Sequence, residues 1–212
     1  MQPLGEWYRA ARERITAMVD DEVGTMPVPA TPEWDVHDVI AHLAGITEDA
    51  RTGNMAGATT DAWTAAQVER GRSRTVTEML DQWAADAPAV EWFLSTPEGE
   101  ATSWRAVLDI HTHEADLLHA LGRPVDLPAE FLAWMTPIMR AGFDEAVAVA
   151  GLPAVTVEAS DLQWFRGRLG RRTVDEVCAY GWSADPVTHL DHWFIFGRAE
   201  RSLGEVCSDG AA

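Results

Sequence analysis

The sequence predicts a mainly α protein: a four-helix bundle followed by a small α/β C-terminal domain. Three observations lead there. Four apolar stripes at helical spacing precede residue 122, their connections are punctuated by proline and glycine, and after Pro128 the texture changes to short alternating runs. At 47% hydrophobic and 24% charged, the 212-residue chain can bury a core, yet it holds no run near the ~20 apolar residues a bilayer span requires.

The first helix is predicted over 4–22, where Leu4, Trp7, Tyr8, Ala11, Ile15, Met18 and Val19 share a stripe. The stretch GTMPVPATPEW then breaks it with prolines. Asp35 suits the cap of a second helix, with Asp38 in its first turn and Val36, Val39, Ile40, Leu43 and Ile46 along one face. Residues 53–66, rich in Gly, Ala and Thr, fit loop or weak helix. A third helix over 75–94 carries Val76, Met79, Leu80, Trp83 and Val90. The fourth runs from Thr102 to Leu121, stopped by Gly122 with Pro124 beyond. After Pro128 one more helix is expected, interrupted or kinked near Pro137. AVTVEAS and VCAYGW read as two strands, DLQWFRGRLGRR between them as a short amphipathic segment, and PVTHLDHWFIFGRAERSL as a last helix. The domains are thus 1–127, 128–205 and a disordered tail, 206–212. No internal repeat is visible.

A net charge of −18 repels a phosphate backbone, which argues against nucleic acid as a partner. All sixteen basic residues are arginine, which excludes lysine Schiff-base chemistry and the lysine-dependent phosphate loop. Such lysine avoidance also suggests a high-GC bacterial genome. The N-terminal stretch is amphipathic and broken by charges rather than continuously apolar, so a cytoplasmic protein is expected, with no membrane partner. Cys178 and Cys207 lie far apart and read as free thiols in a reducing compartment.

The chemistry concentrates in LDIHTHEADLLHALGRP, residues 108–124. At about 100° per residue, Asp109, His113 and Asp116 share a helix face, while His111 points nearly the opposite way and Glu114 and His119 fall off the seam. An Asp and a His one turn apart are two thirds of a catalytic zinc site, which uses three protein ligands and keeps a fourth position open. The best third ligand is His42, beside the stripe of Val39, Leu43 and Ile46. The spacing equally fits a hydrogen-bonded core histidine and an Asp109–Arg105 pair one turn apart. His37, in the first turn of its helix, is expected to be exposed. His111 and His119 read as satisfied surface or core groups, and His189 and His192 as solvent-facing or packed.

TPEWDVHDVIAHLAG and DIHTHEADLLHALG resemble the two signatures of the mycothiol-dependent maleylpyruvate isomerase family, within the DinB-like superfamily of metal-binding four-helix bundles. The resemblance spans most of residues 5–125. It implies a DinB-like bundle with metal ligands at His42, Asp109 and His113, although the family usually has Glu where this chain has Asp109. Asp116, on the same helix face, reads equally as a group orienting His113, as metal-bound imidazoles usually require, and as a helix-packing acid. DLQWFRGRLGRR and HLDHWFIFGR resemble a pattern in the C-terminal domain of such proteins, whose arginine lies near the metal. Arg168, Arg171, Arg172 and Arg198 are therefore candidates for orienting an anionic substrate, although each equally fits surface charge neutralising an acidic protein. Trp34 and Trp193 are weaker candidates for lining the cleft that binds the thiol cosubstrate.

What the resemblance implies is a metal-dependent thiol transferase or cis-trans isomerase, with a divalent cation, most readily Zn²⁺, and mycothiol, the sugar thiol of actinobacteria, as the nucleophile. Its partners would be a small electrophile and that low-molecular-weight thiol. The rivals are a metal-hydroxide hydrolase or hydratase working without thiol, and a non-catalytic DinB-like binding or stress protein.

Overall fold

In a computed structural model that describes residues 2–206, the chain divides into two compact units, one ending at Leu121 and the other beginning at Gly122. Cys207 and most of the predicted tail, 207–212, lie outside the described residues.

The first unit is helical: α1 (Leu4–Thr16), α2 (Val36–Thr52), α3 (Asp61–Gly71), α4 (Val76–Leu94), α5 (Pro97–Ser103) and α6 (Arg105–Ala120). The four long helices form the bundle. α2 packs on α4 and α6, and α1 packs on the same two, while α3 covers α2. The stripes meet in a core of Leu4, Tyr8, Ala11, Ile15, Val39, Ile40, Leu43, Met79, Trp83, Val107, Ile110 and Leu117, all buried. Inside it the Tyr8 hydroxyl shares a hydrogen bond with Thr47 (2.9 Å) and accepts one from the Trp83 indole (3.2 Å). Burial, against the opposing pull of those two bonds, raises the phenol pKa to about 12.

Helix boundaries follow local hydrogen bonding. The predicted helix over 4–22 closes at Thr16, where the Met18 N–H turns to the Ile15 carbonyl, and the Asp20 carboxylate then takes the N–H groups of Glu22 and Val23 in a turn. In the Gly/Ala/Thr stretch, loop gives way to α3 at Thr60, whose hydroxyl accepts from the Trp63 N–H. The helix expected from Thr102 begins earlier, at Pro97 under the Thr96 cap, and is divided at Trp104.

The second unit contains α7 (Ala129–Val149), β1 (Val157–Glu158), α8 (Asp161–Arg168), α9 (Val174–Cys178), β2 (Gly181–Trp182), a 3₁₀ turn (Pro186–His189) and α10 (Leu190–Trp193). α7 runs unbroken through Pro137, where an interruption or kink is predicted, and packs on α8 and α10. β1 and β2 pair antiparallel, Val157 opposite Trp182 and Glu158 opposite Gly181. The strands are far shorter than the sequence predicts, and the first part of VCAYGW is α9, nucleated by a Thr173/Glu176 capping box. The predicted last helix stops after Trp193. Arg168 explains this: its guanidinium occupies the carbonyls of His192 and Trp193, and its own carbonyl accepts the Ile195 N–H (2.8 Å), so the groups a longer helix needs are already bonded.

An aromatic cluster of buried Phe143, Trp164 and Trp193 with half-buried Trp182 fills this unit, with Trp164 and Trp193 ring centroids 4.6 Å apart. Among the described residues no helix is long and apolar enough to cross a membrane.

Candidate metal centre

The Asp35/Asp38 capping box sets where α2 begins: the Asp35 carboxylate accepts the Asp38 N–H (3.0 Å) and Asp38 reaches back to the Asp35 N–H (3.5 Å). That start places His42 on the inner side of α2, 5% exposed, where α6 passes. Asp109 and His113 lie one turn apart on α6, as their spacing requires. The Asp109 carboxylate faces both rings, one oxygen 3.4 Å from His42 Nε2 and the other 3.7 Å from His113 Nε2. The ligand atoms of the three residues all lie within 4.8 Å of one another. The imidazoles are buried whereas the Asp109 side chain is 34% exposed, so the cluster opens to solvent on the carboxylate side.

Burial by itself would lower the His42 pKa. The charge and hydrogen bond of Asp109, aided by the Gln67 carbonyl, outweigh it and hold the imidazole above the ordinary histidine value. His113 has Asp116 behind it. An Asp116 oxygen, fully buried, is 3.4 Å from His113 Nδ1, close enough for charge interaction but not aligned as a hydrogen bond. Trp34 packs against both rings, 5.4 Å from His42 and 5.9 Å from His113 between centroids.

Two residues that sequence reading missed complete the surroundings. His42 Nδ1 is 2.8 Å from Gln67 Oε1 on α3, and the Gln67 amide nitrogen donates to Asp49 (2.9 Å), which also accepts from Arg70 (2.7 Å) and Asn54 (2.8 Å). Gly45 makes this possible. A Cβ there would stand 2.7 Å from Gln67 Cβ, so a side chain would force α3 off α2 and withdraw the amide from His42. The glycine that closes the HLAG stretch thus has a packing reason.

Three of the other five histidines, His37, His111 and His189, have hydrogen-bonding partners outside the cluster. His37 is half-buried rather than exposed, its Nε2 2.9 Å from the Arg74 carbonyl. His189 is packed, its two nitrogens against Thr188 and the Pro153 carbonyl. His111 is fully buried with Nδ1 2.8 Å from the Val107 carbonyl, and burial lowers its pKa to about 4 from 6.5. The unfolded chain therefore binds a proton that the folded one refuses between those values, so this contribution to stability is intact above pH 6.5 and disappears as pH falls through about 4. In denaturant titrations of metal-stripped protein, the wild type should lose roughly 3 kcal/mol more than His111→Leu between about pH 7 and pH 4. Equal losses would refute a neutral, buried His111.

The arginine candidates lie in the second unit. Arg168 is 4% exposed, bound to the His192 and Trp193 carbonyls, and burial lowers its pKa to about 10. Arg171 donates to the Leu169 carbonyl (2.6 Å) and Arg172 to Glu205 (2.6 Å). These three, expected to hold an anionic substrate, instead have partners inside their own unit, while Arg198 is exposed. Trp193, expected to line a cleft, is fully buried among the aromatic rings.

Residues 8–120, more than half the chain and all of the cluster, match the mycothiol maleylpyruvate isomerase N-terminal domain. The chain belongs to this family. No curated protein and no solved structure matches it. Membership ties the first unit of this maleylpyruvate isomerase-family chain to mycothiol-related chemistry; of the two groups of its described residues able to hold a metal, His42–Asp109–His113 and the half-buried Asp35–His37–Asp38, the former places two buried imidazoles together.

Proposed function

We propose that the chain is a metal-dependent thiol transferase or cis-trans isomerase that uses mycothiol as nucleophile on a small electrophile. The observation that carries this reading is the convergence of two imidazole Nε2 atoms and one carboxylate on a common point, in a chain of a mycothiol-related family.

The donor set suits a divalent ion. Two neutral imidazoles and one carboxylate are a three-ligand set of the kind zinc uses when a position is kept open, and the hydrogen bond of Gln67 at Nδ1 leaves His42 Nε2 facing the cluster. Asp109 is one methylene shorter than the family's usual Glu, yet it sits between both imidazoles, which speaks against a decayed site. When bound, such an ion, Zn²⁺ first, lowers the pKa of a thiol or water at its open position so that a nucleophile exists near neutral pH. The chain's own groups do the rest. His42, Asp109 and His113 hold the ion, the Asp116 carboxyl stands behind His113, and Trp34 presents an aromatic wall beside both rings.

Elemental analysis of protein purified without a histidine tag, followed by turnover of an electrophile panel with and without mycothiol, tests the reading. One divalent ion per chain and strictly thiol-dependent turnover are expected. Metal with thiol-independent hydrolysis or hydration would transfer the site to hydroxide chemistry. Protein that binds no metal would leave a non-catalytic family member.

A further inference from the structure

We propose that Gln67 and Asp49 are positioning residues that fix which nitrogen of His42 carries the proton, and thereby the metal affinity of the cluster; this rests on the metal-centre reading above. Asp49 is 2% exposed and its carboxylate is bonded to Arg70, Asn54 and Gln67, so it acts only as an acceptor. The Gln67 side chain, 1% exposed, must therefore turn its NH₂ toward Asp49 and its carbonyl oxygen toward His42. A carbonyl oxygen 2.8 Å from Nδ1 can only accept, which puts the ring proton on Nδ1 and leaves the Nε2 lone pair facing Asp109 and His113.

The direction of this chain matters because a rival proton acceptor sits at the other end of the ring. The Asp109 carboxylate, 3.4 Å from Nε2, favours a proton on Nε2, the form in which His42 cannot be a ligand there. Gln67 opposes that pull, and Asp49 prevents the Gln67 amide from turning over to present its NH₂ instead. Arg70 and Asn54 in turn hold Asp49 in place. His42, Gly45 and Asp49 are three and then four residues apart, so one face of α2 carries the ligand, the gap that admits α3 and the anchor of the chain.

The test uses the full chain. Zn²⁺ affinity is read by competition with a chromophoric chelator, and the His42 tautomer by ¹⁵N-histidine NMR on chelator-stripped protein at a pH where the ring is neutral. In Asp49→Asn the new amide can donate, the Gln67 amide can invert, and Zn²⁺ binding should weaken by about 10–100-fold as Nε2–H becomes populated. The double variant Asp49→Asn/Gln67→Glu moves the carboxylate one step along, restores an acceptor-only group at Nδ1, and should recover both tautomer and affinity. Should Asp49→Asn fail to fold, Gln67→Met removes the Nδ1 acceptor directly and should weaken binding likewise.

Unchanged tautomer and unchanged affinity in Asp49→Asn, or in Gln67→Met where that variant stands in for it, would overturn the proposal. So would a wild-type neutral ring that carries its proton on Nε2. If the wild type binds no Zn²⁺, the metal-centre reading falls instead, and the tautomer comparison still decides whether the Asp49–Gln67 chain sets the His42 proton.

Discussion

His113→Ala should lose its stoichiometric divalent ion and, with it, thiol-dependent turnover. A centre with three protein ligands cannot keep tight binding on two, since loss of even an outer hydrogen-bonding partner typically costs 10–100-fold; removal of a ligand should exceed about 100-fold. The control is two residues away on the same helix. His111 faces the opposite side of α6, where its Nδ1 meets the Val107 carbonyl. His111→Ala should therefore retain one ion per chain while unfolding at lower denaturant, because it leaves a cavity in a fully buried site. Elemental analysis and denaturant titration of the two variants side by side separate ligand from packing group. A His113→Ala protein that keeps a full equivalent of metal would remove His113 from the centre.

That contrast between residues 111 and 113 was legible in the sequence because helical rotation alone assigns them to opposite faces. The same logic placed Asp109 and Asp116 with His113, and the apolar stripe of α2 foretold a buried His42. Gln67 was not legible. It comes from α3, in a stretch whose Gly, Ala and Thr content gave only a weak stripe, and an amide's value to a histidine depends on a helix approach that Gly45 permits. Asp49 carried a faint signal, seven residues after His42 on the same face, without saying what it would bind.

In the second unit, periodicity was a poorer guide. The alternation of AVTVEAS survives as two paired residues, and the helix expected after Pro186 is cut short by the side chain of Arg168, a contact that local pattern cannot contain. Arginine type and spacing likewise could not distinguish a substrate clamp from an internal ion pair, because the acid that pairs Arg166 and Arg172 lies more than thirty residues further along the chain.

That acid, Glu205, is the site of the second large effect. Its carboxylate, 1% exposed, pairs with both Arg166, itself fully buried, and Arg172. Burial would raise its pKa, but the charge of Arg166 first and then of Arg172 pulls the group below the usual carboxylate value of 4.5. Glu205→Gln keeps the shape and removes the negative charge that both buried guanidinium groups share, and should cost about 3–5 kcal/mol. The sign of the pH dependence follows from the lowered pKa. The contribution is fully present above the unfolded value near 4.5 and is lost as pH falls through the lower folded value, so Glu205→Gln should lack that acid step.

The same residue anchors the end of the described chain. Next to it, the Val206 carbonyl accepts the Val125 N–H (2.8 Å), closing the segment onto the start of the second unit. Limited proteolysis of Glu205→Gln should therefore cut first within 194–206, before the helices of that unit. Replacing the three described members together, Arg166→Met with Glu205→Leu and Arg172→Met, should recover most of the lost stability, because exchanging a buried ion network for apolar groups of similar volume is often neutral or stabilising. A Glu205→Gln protein within about 1 kcal/mol of wild type would mean that the carboxylate is not what balances these arginines.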